Sequence, residues 1–450
     1  MKPSSGRDLT EGNILRHLLF FSIPLLIGNV FQNLHTAINS FWVGHYVGKE
    51  ALGAVSLVFP IMFFLISVVF GAVTGSTILI AQFYGAKDWT KLQTTINTSF
   101  LFTMLSSLVV SLVGIWSSGY LLRLLNTPDT IFPLAHDFLI ISFAGLIFAF
   151  GYNLLNAILR GMGDTINPLK FLILSTVLNI ILDPPLIIGL GPLPALGVQG
   201  AAWATVISQA IAFFFTLYYL NKHGNFLSIK ISSLKLDWPI LKQMFKLGIP
   251  MGVQSMAVSL GMLFLTALIN LFGADAIAGY GAASRISAFA TLPAMSLSSG
   301  ISTLTGQNVG AKKFDRLKEI IFWGAMVASA GALIMTVFIQ LGAHYLVKIF
   351  TPDPEVIQVG ESFLRLESLG YLFFMLMFAF NGVLQGAGQT FLTMLVSIVS
   401  LWIIRLPLAY LLAVPLGLGE EGIWISIPIS YLAGFIISYT FYRTYKITKI

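Results

Sequence analysis

Apolar runs of about 20 residues or more recur along the whole chain, each long enough to cross a ~30 Å hydrocarbon layer as a helix. The runs lack the two-residue alternation of a membrane β-barrel, so the sequence predicts helices. Composition agrees. Only 10% of the 450 residues are charged and 56% are hydrophobic, against roughly 25% charged in soluble domains. The mean hydropathy is +0.87. The polar, basic N-terminal stretch leads into a full-length span, which reads as no cleavable signal peptide. With no cysteine, disulfides and thiol chemistry are excluded.

The predicted spans are 19–43, 53–80, 94–120, 132–158, 169–190, 198–221, 247–272, 277–305, 320–345, 358–384, 390–414 and 421–441. With twelve spans the chain returns to its starting side. Of the 25 Lys and Arg, nineteen fall on the side of the N-terminus, three (Lys49, Arg123, Lys348) on the other, and three (Arg285, Arg365, Arg405) within spans. Basic residues collect in cytoplasmic loops, so both termini are expected in the cytoplasm of a multi-pass protein of the cell (inner) membrane. The same asymmetry accounts for the net charge of +7 without nucleic acid.

The two halves repeat at an offset near 225. "ILRHLLFFSIP" (14–24) matches "ILKQMFKLGIP" (240–250), "GAK" at 85–87 matches 310–312, and "TPD" at 127–129 matches 351–353. "NAILRGMGDT" (156–165) matches "NGVLQGAGQT" (381–390). Six spans per half is an even number, so both halves insert in one orientation. The expected fold is all-α, with two six-helix lobes related by a pseudo-twofold along the membrane normal and a substrate site between them, as in many secondary transporters. The expected division is residues 1–221 for the N-lobe, 222–239 for a cytoplasmic linker and 240–450 for the C-lobe. The linker reads equally as a surface-lying segment or a plain connector.

Within this apolar background "NIILDPPL" (179–186) is anomalous. Asp183 is the one acid deep in an N-half span. Asn179, four residues earlier, projects to the same side. Pro184 and Pro185 lack N–H groups, which leaves carbonyls unpaired. The residue before a proline is pushed off helical geometry. A break at Asp183 is therefore expected, with carboxylate, amide and freed carbonyls facing protein or a water-filled cavity. Intramembrane acids are functional by default; the plainer alternative is an Asp that caps its own kink. Helical rise places Asn39 in span 1 and Thr205 in span 6 at a comparable depth, so Asn39, Asn179, Asp183 and Thr205 can share one pocket. Asn29, Gln32, Asn33, Thr36, Asn39 and Ser40 form a polar stripe on span 1. His35 at its edge is either a second titrating group or a plain hydrogen-bonded histidine.

In the C-half, the repeat places Arg405 where the N-half has Asp183. Arg285 and Glu367 should lie at similar depth, and Glu367 is expected to pair with one of the arginines, because a lone intramembrane charge is expensive. A structural pair is the favoured reading over a coupling site. The substrate cavity is expected to draw on Gln32, Thr36, Tyr152, Asn153 and Gln254. Met251, Met256 and Met262 suit either an adaptable cavity wall or ordinary packing. Gly71, Gly75 and Gly300 read as close-packing glycines.

"FSIPLLIGNVFQN", "INSFWVG", "GAK", "NIILDPPLIIG", "GVQGAAWATVISQ", "KLGIP" and "WIIRLPLAYLL", in this order and spacing over roughly residues 12–445, resemble the MATE (multidrug and toxic compound extrusion) family. The resemblance implies a cation-coupled antiporter that exchanges H⁺ or Na⁺ for organic, often cationic and lipophilic, compounds. It also implies an N-lobe cation site at matching positions in spans 1, 5 and 6. The family usually carries Asp five residues before the glycine of "INSFWVG"; here that residue is Asn39. One carboxylate remains, which favours proton coupling through Asp183, with Na⁺ at Asp183 and Asn179 as the alternative. The acids that another branch of the family places in spans 7 and 10 have no clean match here. The resulting expectation is a proton-coupled efflux transporter that acts as a monomer, without a bound cofactor. The alternatives are a Na⁺-coupled antiporter or a lipid-linked saccharide flippase; twelve spans and few intramembrane arginines argue against the flippase. No HExxH, GxSxG, P-loop or paired catalytic carboxylates point to an enzyme.

Overall fold

The computed structural model describes residues 6–189, 194–223, 229 and 234–444. Twelve helical segments follow in order: α1 (Ile14–Tyr46), α2 (Lys49–Gly85), α3 (Trp89–Leu124), α4 (Phe132–Gly161), α5 (Ile166–Gly189), α6 (Val198–His223), α7 (Trp238–Phe272), α8 (Ala274–Gly310), α9 (Asp315–Lys348), α10 (Pro354–Ser368 and Tyr371–Gly386), α11 (Thr390–Ala413) and α12 (Gly419–Thr444). No strand occurs among the described residues. The halves of α10 meet at a 49° bend. By length and hydropathy among the described residues, nine helices can cross a membrane alone and α10 does so as a bent pair; α2 and α8 complete the twelve. Most helices outrun the predicted spans, since the apolar run marks only the part in hydrocarbon. α2 alone has 37 residues, about 55 Å at 1.5 Å per residue.

Burial is distributed as in a protein solvated by lipid. Large apolar side chains face outward, such as Trp116 at 87% exposure and Leu341 at 77%. Helix contacts use small residues, as expected where lipid removes the hydrophobic incentive to associate. α3 buries Thr95, Ser99, Thr103, Ser107, Ser111, Gly114 and Ser118; Ser111 Oγ donates to the Phe143 carbonyl of α4 at 2.6 Å.

The chain forms two compact units. One comprises Met1–Asp8 and Ile27–Gly252, the other Leu9–Leu26 and Val253–Ile450. This differs from the sequence division at 221 and 240. The first half of α1 belongs with the C-terminal unit and the first half of α7 with the N-terminal one. Glycines explain why these halves pack as they do. A Cβ on Gly75 of α2 would lie 2.5 Å from the Met244 carbonyl oxygen of α7, and one on Gly248 would lie 2.5 Å from that of Gly71. In the C-terminal unit a Cβ on Gly300 of α8 would meet Ser22 Oγ of α1 at 2.6 Å. Gly71, Gly75 and Gly300 therefore serve close packing. Within the linker, 224–228 and 230–233 lie outside the described residues. Its far end is pinned, because Thr98 Oγ1 accepts the Asp237 N–H at 3.2 Å and Asp237 caps α7 through the Ile240 N–H at 2.9 Å.

The repeat persists in backbone detail. Lys87 and Lys312, the last residues of the two "GAK" turns, are both left-handed, with φ 56° and 58°. Their N–H groups return to the Tyr84 and Val309 carbonyls at 3.1 and 3.0 Å. A side chain resists this conformation, so its recurrence 225 residues apart reflects common turn geometry. Gly163 and Gly388, at φ 89° and 81°, repeat likewise.

Candidate functional site

In the N-terminal unit α5 delivers Asn179 and Asp183, both fully buried. They sit four residues apart on one helix face, and Asn179 Nδ2 donates to Asp183 Oδ1 at 3.3 Å. The same amide reaches Thr205 Oγ1 of α6 at 3.4 Å. Thr205 Oγ1 also accepts from Asn39 Nδ2 of α1 at 3.3 Å and donates to the Ala201 carbonyl at 3.1 Å. His35, one turn before Asn39, lies against Asn179. Three helices thus bring Asn39, His35, Asn179, Asp183 and Thr205 together, the five residues selected from the sequence for coupling. Asp183 Oδ2 and Asn179 Oδ1 are buried with no hydrogen-bond donor among the described residues. A carboxylate with one oxygen hydrogen-bonded to an amide and the other unpartnered among the described residues offers charge and lone pairs to a proton or small cation.

The backbone here corrects the expected break. Asp183 remains α-helical, and the irregularity falls after it, as a π-turn over Pro185–Gly189. A wider turn absorbs the prolines without releasing the helix, as π-bulges at functional sites commonly do. Beyond the prolines, the carbonyls of Leu186 and Ile187 are paired with the segment that follows the turn. They accept the N–H groups of Leu196 and Gly197 at 3.0 and 3.1 Å. Gly200 of α6 lies against the Leu186 carbonyl so closely that no Cβ fits, which brings α6, and Thr205 on it, up to α5.

The C-terminal unit holds a second buried polar cluster. Glu367, at the end of the first half of α10, is 4% exposed and Arg405 on α11 is 6% exposed. Tyr371 and Tyr431 place their hydroxyls at 3.3 Å from Glu367 Oε2 and Oε1, and Ser287 of α8 also hydrogen-bonds the carboxylate. Arg405 Nε donates to Ser430 Oγ at 2.8 Å, and its Cζ lies 4.7 Å from the Tyr431 ring centroid, a cation–π contact. The expected Glu367–arginine pair is therefore indirect. No nitrogen–oxygen contact within 4.0 Å joins Glu367 to Arg405 among the described residues; the Tyr431 ring and hydroxyl bridge them. Arg285 is exposed and outside the cluster. Tyr371, at i+4 from Glu367, was accessible from spacing. Tyr431 had no local signal.

The expected cavity residues divide. Gln32, Thr36 and Asn153 are exposed, while Tyr152 is buried in the core of the N-terminal unit. Tyr152 packs among the helices of that unit. Gln254 is half-buried and its amide is committed to Ser397 Oγ at 2.7 Å, so it braces α7 against α11. The side chain of Ser40 lies outside the described residues.

The MatE family model matches this chain twice, over residues 24–184 and 250–411, one match per sequence repeat. Two curated relatives, both from Bacillus subtilis (strain 168), are similar over nearly the full length. The probable multidrug resistance protein YpnP is 32% identical over 436 residues, covering 97% of this chain and 96% of the relative. The probable multidrug resistance protein YoeA is 31% identical, covering 98% and 96%. Among solved structures, the fold is similar to a multidrug resistance MATE family transporter of the MOP superfamily described as outward-facing, with a TM-score of 0.92, 25% identity and 98% of each chain covered. The doubled family match, these full-length relatives and the helical fold around a buried carboxylate place the chain in the MATE family of multidrug efflux transporters.

Proposed function

We propose that the protein exports organic, cationic or lipophilic compounds from the cell in exchange for protons carried by Asp183, through alternating access of its two lobes. The observation that carries this reading is the fully buried Asp183 carboxylate, which has one oxygen unpartnered among the described residues and is set among neutral Asn179, Thr205 and Asn39. A lone carboxylate with no fixed cation beside it has to acquire a positive charge when the site closes to water, and a proton meets that need with no further ligands. Asn39 adds no second negative charge, which lowers the pull on a metal ion. Sodium is the runner-up, supported by Asn179 Oδ1 as a second unpartnered oxygen. The Lys and Arg bias supports both termini facing the cytoplasm, and no resident cofactor is needed.

The deciding experiment is exchange in proteoliposomes under separately imposed gradients. A proton gradient should drive transport of a lipophilic cation and a sodium gradient alone should not. A response to sodium alone overturns the coupling assignment.

A further inference from the structure

α5 and α11 are repeat partners. Each carries a π-turn, at Pro185–Gly189 and Val399–Arg405, and each carries one buried ionisable residue near it, Asp183 just before the first turn and Arg405 at the end of the second. The signs are opposite. Among the described residues, Asp183 has no cation among its hydrogen-bond partners. Arg405 sits in a cluster that already contains its countercharge. Tyr371 on α10, Tyr431 on α12 and Ser287 on α8 surround the Glu367 carboxylate, and Tyr280 on α8 is the further titratable neighbour. Arg405 lies across the Tyr431 ring, oriented by Ser430. Guanidinium does not deprotonate in proteins.

We infer that Arg405 is a tethered cation, supplying permanently to the C-lobe carboxylate Glu367 the positive charge that Asp183 has to draw from solution as a proton. The C-lobe is thereby locked in its charge-compensated state and adds no exchangeable proton of its own to the one carried at Asp183. Without Arg405, Glu367 would face the same electrostatic problem as Asp183 and would take up a proton of its own in each cycle. This inference rests on Asp183 being the proton carrier.

The test is the proton-to-substrate ratio, read from the reversal potential of lipophilic-cation exchange in proteoliposomes. Thermal stability and cation binding serve as folding controls. Arg405→Lys keeps a fixed charge and should keep the wild-type ratio. Arg405→Gln should raise the ratio by one proton per substrate. The double variant Glu367→Gln/Arg405→Gln removes both charges and should return to the wild-type ratio. A folded Arg405→Gln protein with an unchanged ratio overturns the inference. So does a folded double variant with a lowered ratio, because Glu367 would then cycle a proton in the native protein. Should Arg405→Gln fail to fold, the double variant and Arg405→Lys still decide. Proton coupling that survives Asp183→Asn in the wild-type background would instead refute the underlying reading, whatever the Arg405 variants do.

Discussion

α5 and α11 occupy the same place in the two repeats and solve different problems. In α5 the ionisable residue precedes the π-turn and in α11 it ends it. Asp183 is held by an amide on its own helix and leaves one oxygen unpartnered among the described residues, whereas Arg405 and Glu367 are enclosed by aromatic rings and hydroxyls from neighbouring helices. Both helices keep a π-turn and a buried ionisable residue, but the turns fall at different places along them and the chemistry diverges. One unit keeps an incomplete polar site, the arrangement an exchangeable ion requires. The other is complete within itself, the arrangement that stabilises.

The comparison is most directly broken at Asp183. Asp183→Asn should abolish proton-driven exchange while the protein still folds and binds substrate, since an amide fits the same nest; exchange at wild-type rate would sink the mechanism. Next come the glycine contacts. Gly75→Val should cost about 1–3 kcal/mol by overpacking, seen as a lower unfolding midpoint in detergent, because its Cβ would strike the α7 backbone. Tyr431→Phe should cost about 1–2 kcal/mol through the lost hydrogen bond to Glu367, and the proton ratio should not change. Asn39→Asp should leave stability nearly unaltered and confer a sodium response on exchange, by adding the second carboxylate; a variant still blind to sodium would show that charge alone does not decide the ion.

The smallest effect distinguishes the two "GAK" turns. Asp88 caps α3 by accepting the Lys91 N–H at 3.0 Å. At the repeat-equivalent position Lys313 instead donates to the Thr10 carbonyl at 2.9 Å, and α9 has no side-chain cap. The Lys91 backbone N–H holds the Asp88 carboxyl below its ordinary value of 3.8. A depressed folded-state value means that the cap contributes fully above that ordinary value and is lost as the pH falls through the lower one. Asp88→Ala should therefore lower stability slightly at neutral pH, and the difference from wild type should vanish in strong acid, as followed by thermal melts.

The candidate coupling site was unusually legible because its central pair is local. Asn179 and Asp183 are one helical turn apart, and any carboxylate in a long apolar run stands out. Asn39, His35 and Thr205 could be added from depth along each span. The Glu367 cluster was only half legible. Its charged members were visible, but Tyr431 lies 64 residues from Glu367, and a tyrosine in an apolar helix has no periodicity that marks it as a bridge. Tyr152 shows the same limit: its position in the sequence does not say which face of α4 packs inward.

By itself, the sequence determined the helical class, the twelve segments, the doubled architecture and the presence of carboxylates, Asp183 and Glu367, where hydrocarbon tolerates none without a purpose. These depend on local quantities, namely hydropathy over a helix length, residue spacing on a single helix and similarity at a fixed offset. Tertiary structure alone decided that Asp183 stays helical with the π-turn beyond it, that the first halves of α1 and α7 pack with the other half's unit, and that Glu367 meets Arg405 through a tyrosine. Each of these depends on which faces of distant helices touch, and that is set by backbone approach at glycines and by partners tens of residues away.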